Sequence, residues 1–402
     1  MKTQTTTEPR EKVREPLFHI VKRPAIPLWK SILIRFIAIV AAMLLSAVIA
    51  YCLKGISPLE FYKQMFSGAF GTSRRIWIFI YNSSILLCVA LALTPAFKMR
   101  FWNIGGEGQV LVGGLATAAV MFYLGGKVSN PVLYLLMTVA AIVAGIIWGV
   151  IPAIFQSRWK TNETLFTLMM NYIAIQLVSF FINRWDKSGH GYVNPMTDYG
   201  FPQLVNKWLL SILVVAALTV FMYIYLKYSK HGYELSVVGE SENTARYIGI
   251  NVKKVVIRTM ILSGAICGIA GLLIVGGYNN TVAESTAGGR GFTAIMVSWL
   301  GKFNPIFMVL TSLLICFMEV GSKQVCTTFK INESITDIVT AVILFFIIGC
   351  EFFINYKIMF RHAENADPVK NAIPAKPAEN AIAAENANAA DTNPANAEKE
   401  GE

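Results

Sequence analysis

The stretch "KMRFWNIGGEGQVLVGGLATA", Lys98 to Ala118, lies between two strongly apolar runs. It nevertheless carries Asn103, Glu107, Gln109 and the closely spaced glycines Gly105, Gly106 and Gly108. Non-helical backbone at membrane depth must be buried in protein or line a watery cavity, because lipid offers its N–H and C=O groups no partners. The glycines permit a break or the close approach of another helix. A helix restarting near Gln109 would point its free N–H groups and positive dipole end into that cavity, where Glu107 is favourably placed. The bland alternative is an ordinary interhelical turn capped by an acid.

The rest of the chain fits a bilayer. Of 402 residues, 55% are hydrophobic and 15% charged, with a mean hydropathy of +0.53. A soluble fold would expose too much apolar surface at that balance. Apolar runs of the length needed to cross ~30 Å of hydrocarbon fall at roughly 32–53, 76–97, 109–124, 132–155, 165–182, 208–226, 256–276, 291–301, 306–320 and 335–356. The pattern predicts an all-α polytopic membrane protein of about ten transmembrane helices, with discontinuous or short helices near 102–109 and 287–301. Lysine and arginine concentrate in the N-terminal arm and in alternate loops, above all Lys227 to Arg258, whereas Arg184, Lys187, Lys207 and Arg290 fall on the other side. Positively charged loops stay inside, so both termini are expected to be cytoplasmic.

Three regions follow: an N-terminal cytoplasmic or interfacial arm (1–30), a transmembrane domain (31–358) with a cytoplasmic loop at 229–255, and a tail (359–402). The tail is rich in Ala, Asn, Glu and Pro and lacks aromatic residues after Phe360; it is expected to be disordered and cytoplasmic. The polar, proline-bearing arm does not have the pattern of a cleaved signal peptide.

Several chemistries lack their residues. There is no G-x-x-x-x-G-K-[ST] phosphate loop, no H-E-x-x-H and no G-x-S-x-G, so neither nucleotide hydrolysis nor a hydrolase is indicated. The cysteines (Cys52, Cys88, Cys267, Cys316, Cys326 and Cys350) form no Cys-x-x-Cys pair and read as packing residues. No catalytic or metal-binding set is predicted, and despite a net charge of +11 no basic–aromatic array points to nucleic acid.

A second break strengthens the first. "AGGRGFTAIMVSWLGKFNP", Ala287 to Pro305, is again a glycine cluster followed by a helix too short to span. Paired glycine-interrupted short segments are the best sequence pointer to a transporter's central site. The basic loop "KYSKHGYELSVVGESENTARYIGINVKKVVIR", Lys227 to Arg258, holds a predicted short helix from Glu240 to Ile248, with Ser241 able to cap it and Gly249 ending it. A short surface helix between two spans suits docking into a groove of a cytoplasmic partner.

Four segments carry a family resemblance: "FWNIGGEGQ" (101–109), "TNETLFTLMMNYIA" (161–174), "VGESENTARYIGIN" (238–251) and "GFTAIMVSWLGKFNP" (291–305). Together they resemble the permease subunits of ATP-binding-cassette importers, in the nucleoside and simple-sugar branch related to ribose and branched-chain amino acid permeases. The resemblance implies an inner-membrane subunit of a bacterium that needs no cofactor, because ATP is used by a partner. It implies a cytoplasmic ATPase, a second homologous permease or a second copy of this chain, and an extracytoplasmic substrate-binding protein or lipoprotein. Carried onto this chain, Glu240, Asn243, Ala245, Arg246 and Gly249 fall at the ATPase-coupling positions. The translocation path is expected to draw on Asn103, Gly105, Glu107, Gln109, Phe292 and Thr293, with Asn82 and Asn171 as further polar residues facing it. Trp102 stands where the family commonly has phenylalanine, and Trp299 interrupts a helix usually made of small residues. Nucleosides are the first expected cargo, with a simple sugar or a ribityl- or ribosyl-bearing vitamin as alternatives. An ion-coupled secondary transporter is a more distant reading and would rest on Glu107 as its buried carboxylate.

Overall fold

In the computed structural model of the chain, residues 18–23, 27–187, 189–203 and 205–360 are described. The start of the N-terminal arm and the tail after 360 lie outside the described residues.

The chain folds as helices in the order α1 (Leu28–Lys54), α2 (Pro58–Phe70), α3 (Ser73–Lys98), α4 (Gly106–Leu124), α5 (Asn130–Trp159), α6 (Glu163–Trp185), α7 (Leu209–Tyr228), α8 (Lys230–Glu240), α9 (Glu242–Tyr247), α10 (Val252–Ile274), α11 (Arg290–Leu300), α12 (Pro305–Phe329) and α13 (Glu333–Asn355). Seven of them, α3 to α7, α10 and α12, are long and apolar enough to cross a membrane. Helices α1 and α13 carry shorter apolar runs, Phe36–Ile49 and Ala341–Ile354, and α11 has only 11 residues. Every expected span thus has its helix, although fewer than ten meet the length and hydropathy that spanning demands. Helix α2 was not expected: its 13 residues mix Glu60 and Lys63 with Phe61, Met65 and Phe66, too short and too polar for a spanning pattern.

Residues 33–350 form one unit. Its centre is α3, α4 and α10, whose most apolar stretches are 67%, 67% and 72% buried, against 22% for both α5 and α7. A helix that is apolar on every side yet enclosed by protein belongs to the interior of a bundle, and the less buried ones to its lipid-facing shell. Glycine allows the inner helices to touch. A Cβ on Gly145 of α5 would stand 2.2 Å from the carbonyl oxygen of Gly264 on α10, and one on Gly264 would stand 2.3 Å from that of Gly145. A Cβ on Gly113 of α4 would lie 2.6 Å from Cα of Gly268. Such small-residue contacts replace the hydrophobic drive that lipid does not supply between helices.

The described residues before 33 and after 350 belong to a second unit. No strand is predicted from the sequence there. Yet β1 (Phe18–Lys22) pairs antiparallel with β2 (Tyr356–Phe360), Phe18 opposite Phe360 and Lys22 opposite Tyr356.

Candidate functional site: two broken helices and a surface turn

The first break runs from Met99 to Gly105, between α3 and α4. Several of its backbone groups are bonded by side chains. Asn103 is fully buried, and its Oδ1 accepts from the Gly105 N–H at 3.0 Å and from Gln109 Nε2 at 3.4 Å. Its Nδ2 donates to Ser263 Oγ on α10 at 3.3 Å. Helix α6 completes the cradle with two residues one turn apart, hence on one face. Thr167 Oγ1 accepts from the Ile104 N–H at 3.1 Å. Asn171 accepts from the Gly108 N–H at 2.8 Å and donates to the Ile104 carbonyl at 3.0 Å. The helix restarts at Gly106, three residues before the expected Gln109.

The second break precedes α11, where Gly288 and Gly289 have φ of 62° and 73°, a left-handed backbone that suits glycine. Glu107 joins the two breaks. Its Oε1 accepts from the Gly289 N–H and its Oε2 from the Gly291 N–H, each at 2.7 Å. The carboxylate therefore opens its own helix and caps another, taking two of the N–H groups that the start of α11 leaves orphaned. The backbones meet there too, because a Cβ on Gly291 would stand 2.2 Å from the Glu107 nitrogen. Gln109 Nε2 is 3.4 Å from the place a Cβ would take on Gly149, whose other neighbours are Met260 and Gly264 of α10.

The expected path residues thus divide. Asn103, Gly105, Glu107, Gln109 and Asn171 form one buried polar cluster, in which Gln109 Oε1 alone of these side-chain atoms has no partner. Asn82, Phe292 and Thr293 surround the start of α11 instead. Asn82 Oδ1 accepts from Arg290 Nη2 at 3.1 Å, Thr293 Oγ1 donates to the Gly289 carbonyl at 3.2 Å, and Phe292 is exposed. Sequence position alone misses Thr167 and Ser263 as partners of the break. It also ranks Arg290 as a loop cation, although a charge directly after a glycine cluster was a signal of its place. Trp102 and Trp299, the two departures from the family pattern, stack on each other with centroids 5.6 Å apart and planes at 25°, and Phe97 packs edge-on against both.

The expected helix from Glu240 to Ile248 is α9, shorter at both ends, with Glu240 closing the preceding α8. Ser241 leaves helical geometry, with φ −158° and ψ 119°, and its side chain accepts from the Thr244 N–H to start α9. Gly249, at φ +83°, ends α9, with Ile250 N–H donating to the Ala245 carbonyl, a left-handed close typical of glycine. Glu240, Asn243, Arg246 and Gly249 are exposed, Tyr247 is 91% exposed, and Ala245 is buried. Ala245 sits in a small core with Leu235, Val238, Met99 and Phe101. The last two lie at the start of the first break. Glu242 accepts from Arg246 and from Lys160 at the end of α5, each at 3.2 Å, pinning the turn to the bundle. Beside it a crevice of ≈ 370 Å³ is lined by Gln156, Lys160, Arg246 and Lys253. Among the described residues, no group of three or more His, Cys, Asp or Glu is placed to hold a metal.

Against this geometry stand the comparisons with known proteins. The family described as "Branched-chain amino acid transport system / permease component" matches residues 75–348. The guanosine ABC transporter permease protein NupP of Bacillus subtilis is 29% identical over 331 residues, covering 79% of this chain and 92% of its own. The nucleoside ABC transporter permease protein NupB of Lactococcus lactis is 29% identical over 337 residues, 79% and 91%. The glucose ABC transporter permease protein TsgB13 of Haloferax volcanii is 26% identical over 354 residues, 84% and 92%.

Proposed function

This chain belongs to the permease family of the branched-chain amino acid transport system, and from that premise we propose that it forms the translocation pathway of an ATP-driven importer of nucleosides. It is a multi-pass membrane subunit of the transport machinery rather than an enzyme. The observation that carries the pathway is the meeting of the starts of two glycine-broken helices, fastened by Glu107. Paired discontinuous helices are where transporters of other folds hold their cargo. Nucleosides are favoured because two of the relatives above are named for guanosine or nucleoside transport, at the higher identities. The glucose relative keeps a simple sugar as the second reading, and a ribityl-bearing vitamin shares the same hydroxylated chemistry.

Energy enters from a partner ATPase. Helix α9 offers Asn243, Arg246 and Tyr247 outward on a seat formed by Ala245. The same small core contains Met99 and Phe101, so a push on α9 is passed by packed side chains to the backbone of the first break. Glu107 and α11 move with that backbone. Alternating access then follows from rocking of packed helices around the junction. A second permease, or a second copy of this chain, faces it across the path, and an extracytoplasmic binding protein delivers the cargo. Both termini and α9 lie on the cytoplasmic side of a bacterial inner membrane. Asn82, Asn103, Gln109, Asn171, Phe292 and Thr293 serve the pathway, the buried ones by shaping the break. Coupling to ions through Glu107 is disfavoured by geometry, since both of its oxygens hold backbone N–H groups.

Purification in mild detergent tests the assembly: a nucleotide-binding protein should accompany this chain. The double substitution Arg246→Glu with Gly249→Trp should remove it and abolish uptake while the chain stays in the membrane. Undiminished uptake by that variant would overturn the coupling role of α9.

A further inference from the structure

Arg290 opens α11, where the helix dipole disfavours a cation. It is half-buried and, among the described residues, no carboxylate pairs with it. The carboxylate held at the same helix start, Glu107, is committed to Gly289 and Gly291. An unpaired guanidinium within a membrane bundle is costly and is characteristically functional. Its bonds go to Asn82 Oδ1 at 3.1 Å and the Ala287 carbonyl at 3.4 Å. Of its five N–H donors, three have no partner among the described residues.

The neighbouring residues are donors as well. With Oδ1 taken by Arg290, Asn82 has its amide NH₂ left to offer. Beside it on α3, Tyr81 is 3% exposed, yet its hydroxyl has no hydrogen-bond partner. The Tyr81 ring lies against Tyr278 at 4.9 Å, and Lys207 Nζ stands 4.4 Å from the centre of the Tyr278 ring. Tyr81 directly precedes Asn82, which Arg290 bonds. A buried, unsatisfied hydroxyl beside an underused guanidinium is the mark of a place that another molecule completes.

We infer that Arg290 and Asn82 form an acceptor-reading contact of the pathway, selecting nucleosides whose base carries a carbonyl over those with an amino group at the same position. This rests on the nucleoside reading above. The cluster presents the N–H donors of Arg290 and Asn82, and among the described residues no carboxylate is paired with Arg290. A guanidinium fork matches two adjacent acceptors, such as the O6 and N7 edge of an oxo-purine, whereas a 6-amino-purine places a donor against it.

The test uses the complete transporter in proteoliposomes, with labelled inosine and adenosine, which differ at the purine 6-position. Wild type should favour inosine, and Arg290→Gln should lower the inosine-to-adenosine uptake ratio at least ten-fold. Arg290→Lys, which keeps the charge but not the fork, should recover only part of that ratio. Parallel loss of both nucleosides in Arg290→Gln, or an unchanged ratio, would overturn the inference and leave the nucleoside reading standing. Failure of the wild type to move either nucleoside would overturn both.

Discussion

At the scale of single residues, Glu107 decides the most. A carboxylate presents two acceptors to two backbone donors, Gly289 and Gly291. Glutamine would satisfy one donor and turn its own NH₂ against the other. Glu107→Gln is therefore expected to destabilise almost as much as Glu107→Ala, by about 3 kcal/mol, the scale of losing charge-assisted bonds and stranding a buried N–H. Thermal unfolding in detergent reads this directly. A Gln variant with wild-type stability but no uptake would point instead to a proton-coupling acid. The polar residues of the break were legible in the sequence, since acids and amides among glycines stand out from an apolar background. Their partners were not. Asn103 bonds Ser263, 160 residues away, and Glu107 bonds Gly289, 182 residues away, and no local pattern encodes those distances. Hence the residues expected to face cargo proved to be largely engaged in holding the break.

At the scale of elements, the long helices were legible because apolar length is a direct consequence of the bilayer. Helix α2 escaped because 13 amphipathic residues lack that mark. Helix α9 was legible from its cap Ser241 and its end at Gly249, whereas α8 before it escaped because its 11 residues carry no spanning pattern. Packing between elements makes sharper predictions. Gly264→Ala would drive a Cβ to 2.3 Å from the Gly145 carbonyl oxygen. Overpacking of this kind costs about 1–3 kcal/mol, so size-exclusion profiles should show less folded protein, while Gly349→Ala, with nothing within 4 Å, should be neutral. A second contact ties α8 to α10: Arg258 donates to Glu234 at 2.9 Å, with Lys230 and His231 also facing that carboxylate. The Arg258 bond holds the Glu234 carboxyl below the usual carboxylate range. A depressed folded-state value stabilises above the unfolded one, near pH ~4.3, and the gain disappears as pH falls through the folded value. Arg258→Gln should thus cost about 1 kcal/mol at pH 7, and the difference from wild type should close in acid. A difference that persists unchanged at low pH would contradict the ion pair.

At the scale of the whole molecule, the arrangement separates three tasks. The outer helices meet lipid, the glycine-lined centre holds a break that lipid alone would not tolerate, and α9 stands outside the bundle with its aromatic and basic face uncovered. Met99 and Phe101 join the last two, lying in the core that seats α9 and at the start of the break. Under the proposed coupling, a chain without a phosphate loop draws on ATP through what binds α9. The direct measurement is uptake of labelled inosine by cells carrying the whole system, under ATP depletion and, separately, under an ionophore with ATP maintained. Uptake should stop when ATP is depleted, persist with the ionophore, and be absent in the Arg246→Glu, Gly249→Trp variant. Uptake that survives ATP depletion but collapses with the ionophore would contradict an ATP-driven permease.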